Sequence, residues 1–342
     1  MEQTLLLNQE EIKELVTMKD VVKLVDKTFQ DMGNEKTVNP TKVLLDLGET
    51  AAYPPYEGFM NAMPAYIGWQ DIAGIKWAGG LLGKRKELGL PYITSMILLI
   101  NPQIGNFVSV MDGAYITNFR TGAQTANALK YIKRGQKSIK VGLYGAGMQG
   151  RTQTMALSEV FDIEELIVYD IYREVAEKFK ESMESYVRGN IKIAKEPSEV
   201  AQNVDAIICV TQSKDSFLKD EWVQPGTVVF PMGSYQEVEN EFILNADHIV
   251  VDHVEQCLHR GVLKDLNEQG KVTKEHIDAT IGELAIGVKT IEDFRNKRVI
   301  CIPIGTGAMD ISVAKFAMDE AKKRKMGKPF DFLGTGEIAT PL

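Results

Sequence analysis

The sequence predicts an α/β protein built on a doubly wound, parallel β-sheet, and three observations support this prediction. Residues 141–150 read Val-Gly-Leu-Tyr-Gly-Ala-Gly-Met-Gln-Gly, an apolar run that breaks into a glycine-rich turn before a helical stretch. A second apolar run, residues 165–169, ends in Asp170, twenty residues after Gly150. Further strand-like runs alternate with helical stretches and lie at 190–194, 204–210, 227–230 and 247–251. Such alternation is typical of the parallel sheet of a Rossmann-type fold.

The glycine-rich turn has the pattern of a dinucleotide site. In Gly145-x-Gly147-x-x-Gly150, the first glycine permits a tight turn, the second admits a pyrophosphate and the third allows close helix packing. Backbone N–H groups at the start of the following helix face an anion there. The predicted cofactor-binding residues of this loop are Gly145, Ala146, Gly147, Met148, Gln149 and Gly150.

Asp170 indicates which dinucleotide is bound. A carboxylate at the end of the second strand accepts hydrogen bonds from the ribose 2′-hydroxyl of NAD and repels the 2′-phosphate of NADP. The sequence therefore favours NAD as the cofactor. Arg173, three residues further on, would offset part of that repulsion and is counted among the cofactor-binding residues.

Length and composition limit the class of protein. At 342 residues the chain is longer than a usual single core, so two domains are expected. A formal charge of −8 and the lack of a long basic run argue against nucleic acid as a partner. The N-terminal sequence has neither a basic-then-apolar leader nor a continuous apolar segment, so no membrane partner is expected. The three cysteines, Cys209, Cys257 and Cys301, fit a reduced, cytoplasmic protein.

The remaining elements flank the parallel sheet. Apolar residues at helical spacing predict a first helix over 11–33. Short β-like runs separated by glycine and proline follow at 42–45, 72–77, 93–100 and 107–110. These runs predict a mixed or antiparallel sheet. Residues 115–133 and 310–325 are predicted to be helical, and they precede and follow the cofactor-binding region.

Motifs outside the glycine loop add to this pattern. In chain order they are Asn61-Ala62-Met63-Pro64, Gly74-Ile75-Lys76, Arg120-Thr121-Gly122-Ala123, and Gly305 with Asp310. In this order they resemble the ornithine cyclodeaminase and mu-crystallin family of NAD(P)-dependent imine-forming and imine-reducing proteins, over nearly the whole chain. The resemblance implies that a Rossmann NAD-binding domain, residues 119–310, is inserted into a smaller α+β substrate-binding and dimerisation domain, residues 1–118 plus 311–342. It also implies a homodimer.

The resemblance assigns roles to three cationic residues. Arg120 and Lys42 match the positions that hold the substrate α-carboxylate, although most family members have arginine at the position of Lys42. Lys76 matches the catalytic lysine, which assists proton transfer at the substrate nitrogen if burial and neighbouring cations lower its pKa. Lys76 and Arg120 are therefore the predicted catalytic residues, and all three are predicted to bind substrate.

The resemblance also supplies the rest of the cofactor site. It implies that one group of residues lines the cofactor cleft, namely Thr121, Val210, Thr211 and Gln212. It implies that a second group approaches the nicotinamide, namely Met232, Gly233, Gly305 and Thr306.

Two positions depart from the pattern of cyclodeaminases. Ser234 stands where cyclodeaminases and archaeal-type alanine dehydrogenases have an aspartate for the substrate amine, and mu-crystallin-like ketimine reductases also have serine there. Asn61 stands where ornithine cyclodeaminases have a glutamate. Both are predicted substrate-binding residues, and both disfavour a diamino acid such as ornithine, because neither can pair with an ammonium as a carboxylate does. Glu237 is either a replacement for the missing aspartate or a solvated loop acid.

One cluster has the residue types of a metal site but not the spacing. It consists of Asp252, His253, Glu255, Cys257 and His259. The spacing follows no zinc pattern, so no metal is expected.

The expected function is that of an NAD-dependent oxidoreductase acting on the C–N bond of a small-molecule α-amino or α-imino acid. This makes the chain an amino acid dehydrogenase or a ketimine/imine reductase. Two alternatives stay open: an ornithine or lysine cyclodeaminase that releases ammonia with internally recycled NAD, and a non-catalytic, mu-crystallin-like binding protein. Ser234 favours the dehydrogenase or imine reductase over the cyclodeaminase. The presence of Lys76 and Arg120 favours either enzyme over the binding protein.

Overall fold

In a computed structural model, which describes residues 3–48, 56, 58–81, 84–233 and 236–331, the chain forms two eight-stranded β-sheets with helices packed against them. The strands are β1 (Thr4–Leu7), β2 (Thr37–Val38), β3 (Val43–Asp46), β4 (Gly58–Ile67), β5 (Ile72–Leu81), β6 (Ile93–Ile100), β7 (Phe107–Asp112), β8 (Ser138–Tyr144), β9 (Asp162–Tyr169), β10 (Asn190–Ile193), β11 (Ala206–Cys209), β12 (Val228–Pro231), β13 (His248–Val251), β14 (Ala279–Thr280), β15 (Val299–Ile302) and β16 (Lys328–Phe330). The α-helices are α1 (Gln9–Leu15), α2 (Met18–Gly33), α3 (Lys84–Glu87), α4 (Ala114–Ile132), α5 (Met148–Ser158), α6 (Arg173–Met183), α7 (Asn240–Asn245), α8 (Val254–Leu258), α9 (Lys264–Glu268), α10 (Ile281–Ile286) and α11 (Gly307–Arg324).

The N-terminal helical region is divided into two helices. The prediction of one helix over 11–33 was wrong, because α1 ends at Leu15 and α2 begins at Met18. Thr17 causes the break: its hydroxyl accepts a hydrogen bond from the backbone N–H of Asp20, and the Asp20 carboxylate accepts from the Thr17 N–H. This reciprocal capping box starts a new helix in the middle of an apolar pattern that continues across the junction.

The mixed sheet has the strand order β16-β1-β7-β6-β5-β4-β2, and β3 also pairs with β4. Its central pairings, β4 with β5, β5 with β6 and β6 with β7, are antiparallel. The sequence did not predict β4, although the motif Asn61–Pro64 lies in the middle of this strand. Proline is unusual inside a sheet because it cannot donate a hydrogen bond. Here Pro64 lies between the part of β4 that pairs with β3 and the part that pairs with β2.

The parallel sheet has the strand order β10-β9-β8-β11-β12-β15-β13-β14, and every pairing in it is parallel. The chain first builds β8, β9 and β10 in one direction and then returns to place β11 on the other side of β8. This reversal is the topological switch point at which doubly wound sheets bind ligands, beside the carboxyl ends of the strands. The predicted Rossmann-type sheet is confirmed.

Two long helices connect the sheets. The predicted domain boundary at 118/119 falls inside α4, which packs against α2 as well as α5. The last helix, α11, packs on β4 and β5 of the mixed sheet. In the part of the chain that the structure describes, no helix combines the length and apolar character needed to cross a membrane.

Candidate active site

A buried group of three charged side chains lies between the mixed sheet and the two connecting helices. Lys76 Nζ on β5 is 2.7 Å from Asp310 Oδ2 in the first turn of α11. Arg120 Nε on α4 is 3.1 Å from the other carboxylate oxygen, Asp310 Oδ1. We call Lys76, Asp310 and Arg120 the ionic triad. It joins the two predicted catalytic residues through Asp310, an acid to which the sequence analysis assigned no role.

Strand alternation explains why a lysine is buried at this position. Successive side chains of a strand point to opposite faces, so Lys76 and Ala78 face the helices, whereas Trp77 between them is exposed on the outer face. The position of Asp310 also has a local explanation, because the helix dipole stabilises a carboxylate in the first turn of α11. Thr117 of α4 adds a hydrogen bond from its hydroxyl to Asp310 Oδ1 at 3.3 Å.

Burial and neighbouring charges lower the pKa of Lys76 to about 7. Burial is the larger cause, the Arg120 cation adds to it, and Asp310 opposes both. The pKa of Lys42 is also lowered, to about 8, again mainly by burial. Lys76 therefore gains and loses its proton near neutral pH, as a group that transfers protons at that pH must do.

Arg120 is placed against a glycine that no other residue could replace without strain. Gly305 has a φ of +87°, a left-handed conformation that favours glycine, and an added Cβ would lie 2.6 Å from Arg120 Nη1. The Gly305 N–H donates to Asp252 Oδ2 at 2.8 Å, and its carbonyl accepts from Gln256 Nε2 at 2.9 Å. Asp252 and Gln256 thus fix the glycine that leaves room for the guanidinium.

Lys42 and Asn61 lie close to the ionic triad: Asn61 is a diagonal neighbour of Lys76 across β4 and β5, and the charge of Lys42 acts on Lys76. Lys42 Nζ donates to the carbonyl of Ile304 at 3.1 Å, and the backbone N–H of Lys42 donates to Gln256 Oε1 at 3.1 Å. Both residues line a cleft of about 510 Å³ between β3 and β4 on one side and the ends of β12 and β15 on the other. The predicted residues Met232 and Gly233 line this cleft as well.

The three glycines of the loop have different surroundings. Gly145 has a φ of +99°, and a Cβ there would lie 2.6 Å from the carbonyl of Val210 across the switch point. A Cβ on Gly150 would lie 2.3 Å from the Gly145 carbonyl, so only glycine allows α5 to pack this closely. At Gly147, by contrast, a Cβ would have no described atom within 4 Å. The loop is therefore open at the point where a pyrophosphate would meet the start of α5, and it fits a dinucleotide.

Asp170 follows β9 and holds the glycine loop. Its Oδ2 accepts from the Ala146 N–H at 2.9 Å, and its Oδ1 accepts from the Tyr172 N–H at 3.0 Å. Arg173 begins α6, and its Nε donates to Glu177 Oε1 one helical turn further on, at 3.0 Å. The part that Arg173 takes in cofactor binding stays a prediction.

The other predicted cofactor residues surround the same edge of the parallel sheet. Thr121 Oγ1 donates to the carbonyl of Thr117 within α4. Gln149 Nε2 donates to Asn118 Oδ1 at 2.9 Å, which ties α5 to α4. Thr306 is buried at the N-cap of α11, and its hydroxyl makes no hydrogen bond to the described residues. The segments at the ends of β11 and β12 supply Val210, Thr211, Gln212, Met232 and Gly233. Ser234 lies outside the described residues.

Glu237 is buried, so the interpretation of this residue as a solvated loop acid was wrong. Its side chain is completely buried, with Oε1 accepting from the backbone N–H and the hydroxyl of Thr211, both at 2.7 Å. Its Oε2 accepts from the Gly233 N–H at 2.8 Å. Burial raises the pKa of this carboxyl, although these hydrogen bonds oppose the shift. Glu237 thus joins the loops after β11 and β12, an interaction that nothing in the local sequence indicated.

The cluster with the residue types of a metal site is held by backbone groups and by its own members. Besides binding Gly305, Asp252 accepts through Oδ1 from Cys257 Sγ at 3.5 Å. The ring nitrogens of His253 and His259 contact the carbonyls of Asn39 and Glu255. Among the described residues, no group of three or more histidine, cysteine, aspartate or glutamate side chains could hold a metal ion.

The fold and the site define a Rossmann-type α/β protein with a second, mixed sheet, a buried ionic triad between that sheet and two helices, and a cleft between the two sheets. The model of the ornithine cyclodeaminase/mu-crystallin family matches residues 2–325, and the chain belongs to this family. It is 33% identical to the alanine dehydrogenase of Archaeoglobus fulgidus over 334 residues, which are 96% of this chain and 99% of that protein.

Two solved structures of similar proteins agree with this assignment. One is an archaeal alanine dehydrogenase dimer with bound NAD, with a TM-score of 0.88, 32% identity and coverage of 97% of this chain and 100% of that chain. The other is the Δ1-pyrroline-2-carboxylate reductase of Thermococcus litoralis in complex with NADH and L-proline, with a TM-score of 0.87 and 28% identity. That match covers 95% of this chain and 99% of the other.

Proposed function

We propose that this protein is an NAD-dependent oxidoreductase that acts on the C–N bond of an α-amino or α-imino acid, as an amino acid dehydrogenase or imine reductase. The observation that carries the proposal is the ionic triad, which places a lysine with a pKa of about 7 beside a buried arginine. The names of the similar alanine dehydrogenase and pyrroline-carboxylate reductase support the same class of reaction.

The residues of the site have distinct tasks in this reaction. Arg120 and Lys42 hold the α-carboxylate of the substrate, since a guanidinium and an ammonium bind carboxylates by charge-assisted hydrogen bonds. When bound, the nicotinamide supplies the hydride for the imine carbon or accepts it from the amine carbon. Lys76, or a water molecule beside it, donates the proton that the reduced nitrogen needs, and in the oxidative direction the neutral amine accepts it. Asp310 keeps Lys76 and Arg120 in position.

The dinucleotide would lie along the carboxyl edge of the parallel sheet. The backbone from Ala146 to Gln149 would hold the pyrophosphate, and Asp170 would hold the adenosine ribose. The loops that Glu237 joins would lie beside the nicotinamide. We further place the protein in the cytoplasm, a proposal supported by its three buried cysteines, which form no disulfide.

Replacement of Asp170 by alanine should weaken the preference for NADH over NADPH. The variant loses the ribose hydrogen bond and the repulsion of a 2′-phosphate, so we expect the KM for NADH to rise about tenfold while the KM for NADPH stays level or falls. Glu174→Ala, which removes a nearby carboxylate in the first turn of α6, is the matched control. An unchanged NADH-to-NADPH ratio in Asp170→Ala would contradict the ribose assignment.

The function itself is tested by a substrate panel. NADH oxidation is followed with 2-oxo acids plus ammonia or methylamine and with cyclic imines, alongside ammonia release from ornithine and lysine with catalytic NAD. Oxidation of NADH with an oxo acid or imine supports the proposal. Ammonia release without net change in NADH would instead identify a cyclodeaminase. Tight NADH binding with no turnover in either assay would identify a binding protein.

We also propose that the protein is a homodimer whose subunits meet through the outer face of the mixed sheet. Directly opposed residues on β3, β4, β5 and β6 form one apolar row on this face, consisting of Val43, Ala62, Trp77 and Met96. Three of the four side chains are large and exposed to solvent: the exposed fraction is 66% for Val43, 51% for Trp77 and 53% for Met96. Contiguous apolar surface of this kind marks a protein interface. The similar archaeal alanine dehydrogenase is a dimer.

Charged residues in this row should separate the subunits. We expect the double variant Trp77→Lys/Met96→Lys to sediment as a monomer at micromolar concentration, because an interface cannot bury four unpaired ammonium groups from two subunits. Leu244→Lys, at an exposed apolar position on α7, is the control and should keep the mass of the wild type. A wild-type protein that sediments as a monomer would overturn the dimer.

A further inference from the structure

Arg260 occupies a position in the cleft that the proposed reaction does not use. It follows α8 and lines the cleft together with Lys42 and Asn61. Its Nη1 donates to Asn61 Oδ1 at 3.0 Å, and its Nη2 donates to the backbone carbonyl of Lys42 at 3.0 Å. These two bonds hold the guanidinium in a fixed orientation across the end of β3.

Both partners of Arg260 are neutral. Among the described residues, no carboxylate lies within ion-pair distance of its guanidinium, and two of the five N–H donors of an arginine are engaged. Three donors therefore remain for another acceptor. Burial lowers the pKa of Arg260, although the group stays charged at any ordinary pH. A partly buried cation without an anionic partner is unfavourable by itself, and such a group commonly marks a binding site.

Other cations line the same cleft. Burial is the main cause of the lowered pKa of Lys42, Asp252 opposes the shift, and the charge of Arg260 adds to it, so the two cations are close enough to interact. Lys264 also lines the cleft, and its Nζ is 3.8 Å from Glu268 Oε1. Asp46 is the carboxylate among these lining residues, and its Oδ1 accepts from the backbone N–H of Gly48 at 2.8 Å. Among the lining residues, Lys42, Arg260 and Lys264 outnumber Asp46; Asp252 acts on Lys42 and Glu268 on Lys264, which leaves Arg260 as the cation with no anionic partner among the described residues.

The register of the mixed sheet places the Asn61 partner of Arg260 close to the ionic triad. Asn61 lies opposite Ala78 on β5, and Ala78 is two residues from Lys76 on the same face. Diagonal neighbours in an antiparallel pair are roughly 7–8 Å apart. The strand positions of Asn61, which binds Arg260, and of Lys76 are therefore roughly 7–8 Å apart, which is comparable to the length of a small substrate.

We propose that Arg260 binds a second carboxylate, on the side chain of the substrate, so that the enzyme acts on short dicarboxylic 2-imino acids and the corresponding amino acids. The inference rests on the proposed function and names its substrate class. The α-carboxylate lies against Arg120 and Lys42, and the side-chain carboxylate lies against the free donors of Arg260. An arginine fork suits this task because it binds a carboxylate through two parallel hydrogen bonds.

The test compares dicarboxylic and monocarboxylic substrates in one protein. Reductive amination of oxaloacetate and 2-oxoglutarate is measured beside that of pyruvate and 2-oxobutyrate. In the wild type we expect the higher kcat/KM for a dicarboxylic acid. Arg260→Met, which keeps the length of the side chain, should lower that kcat/KM roughly 100-fold and change the value for pyruvate less than about threefold. Arg260→Lys should recover part of the loss.

The ratio of the two substrates separates specificity from folding, because loss of folded protein lowers both rates equally. Arg188→Met, at an exposed arginine paired with Asp162, is the matched control and should leave the ratio unchanged. An equal loss for both substrates in Arg260→Met, or a wild type that prefers pyruvate, would overturn the proposal while the oxidoreductase function stands. Ammonia release from ornithine would overturn it too, since a side chain that ends in an ammonium group cannot use a carboxylate-binding arginine.

A binding measurement covers the case in which no oxo acid is reduced. Succinate and propionate are titrated calorimetrically into the protein in the presence of NADH. We expect succinate to bind at least tenfold more tightly than propionate in the wild type and equally weakly in Arg260→Met. Equal affinity in the wild type would exclude the second carboxylate site, whatever reaction the protein performs.

Discussion

Replacement of Lys76 by alanine is expected to lower turnover by roughly a thousandfold, in the range that general acid–base catalysis contributes. The variant removes the amine that exchanges a proton with the substrate nitrogen and one of the cations around the α-carboxylate. NADH binding should not change, because the glycine loop and Asp170 belong to the other sheet. Steady-state rates and fluorescence titration of NADH measure the two effects separately.

Lys133→Ala is the matched control for this variant. Lys133 is another buried lysine with a lowered pKa, and it is paired with Asp205 at 3.1 Å away from the cleft. Its loss should reduce stability and leave the turnover of the folded enzyme within about threefold of the wild type. If Lys76→Ala and the wild type had equal activity, Lys76 would have no part in the mechanism.

The pKa of Lys76 also predicts how the rate depends on pH. In the reductive direction the lysine must be protonated, so kcat/KM should be at its maximum below about pH 7 and fall as the pH rises through the pKa of about 7. In the oxidative direction the neutral amine is required, and kcat/KM should fall as the pH drops below this value.

Asp310→Asn should have the second largest effect, and it should act on stability and on the pH profile together. The carboxylate is the shared partner of two buried cations, and Arg120 cannot lose its charge. Breaking a buried ion pair on one side typically costs about 3–5 kcal/mol, so we expect a loss of this order in the free energy of unfolding. Urea denaturation of the purified variant measures it.

The pH profile distinguishes the role of Asp310 at the site from a purely structural one. Asp310 raises the pKa of Lys76 by its charge and its hydrogen bond, so its loss should move the descending limb of the reductive profile to lower pH. Asp205→Asn breaks the comparable pair with Lys133 and should lower stability without moving that limb. A profile that stays in place in Asp310→Asn would show that the acid does not tune Lys76.

The cofactor edge of the protein was predictable because its constraints are local. Gly145 and Gly150 are required by a tight turn and a close backbone contact within one six-residue segment. Asp170 directly follows the strand that brings it to the loop. Alternating apolar runs likewise indicated the parallel strands. Local patterns gave the wrong prediction at Thr17, where a helix cap ends an apolar pattern of helical spacing. They also missed β4, because glycine, asparagine and proline interrupt the alternation of apolar and polar residues in this strand.

The substrate side was predictable only through the family resemblance, which identified Lys76, Arg120 and Lys42 without their partners. Their chemistry depends on groups far away in the chain: Arg120 meets Asp310 across 190 residues, and Arg260 meets Asn61 across 199. Burial is what lowers the pKa of Lys76, and burial is a property of the packed sheet and helices rather than of Gly74-Ile75-Lys76.

The sequence by itself therefore determined the Rossmann-type sheet, the dinucleotide loop and the family, because short-range patterns of glycine, apolar residues and strand ends specify them. Only the tertiary structure decided that Asp310 joins the two catalytic cations, that Glu237 joins two loops and that Arg260 faces the cleft with donors to spare. The physical reason is that the pKa and the binding properties of a charged side chain depend on the charges, hydrogen bonds and solvent around it. Folding brings these surroundings together from distant segments of the chain.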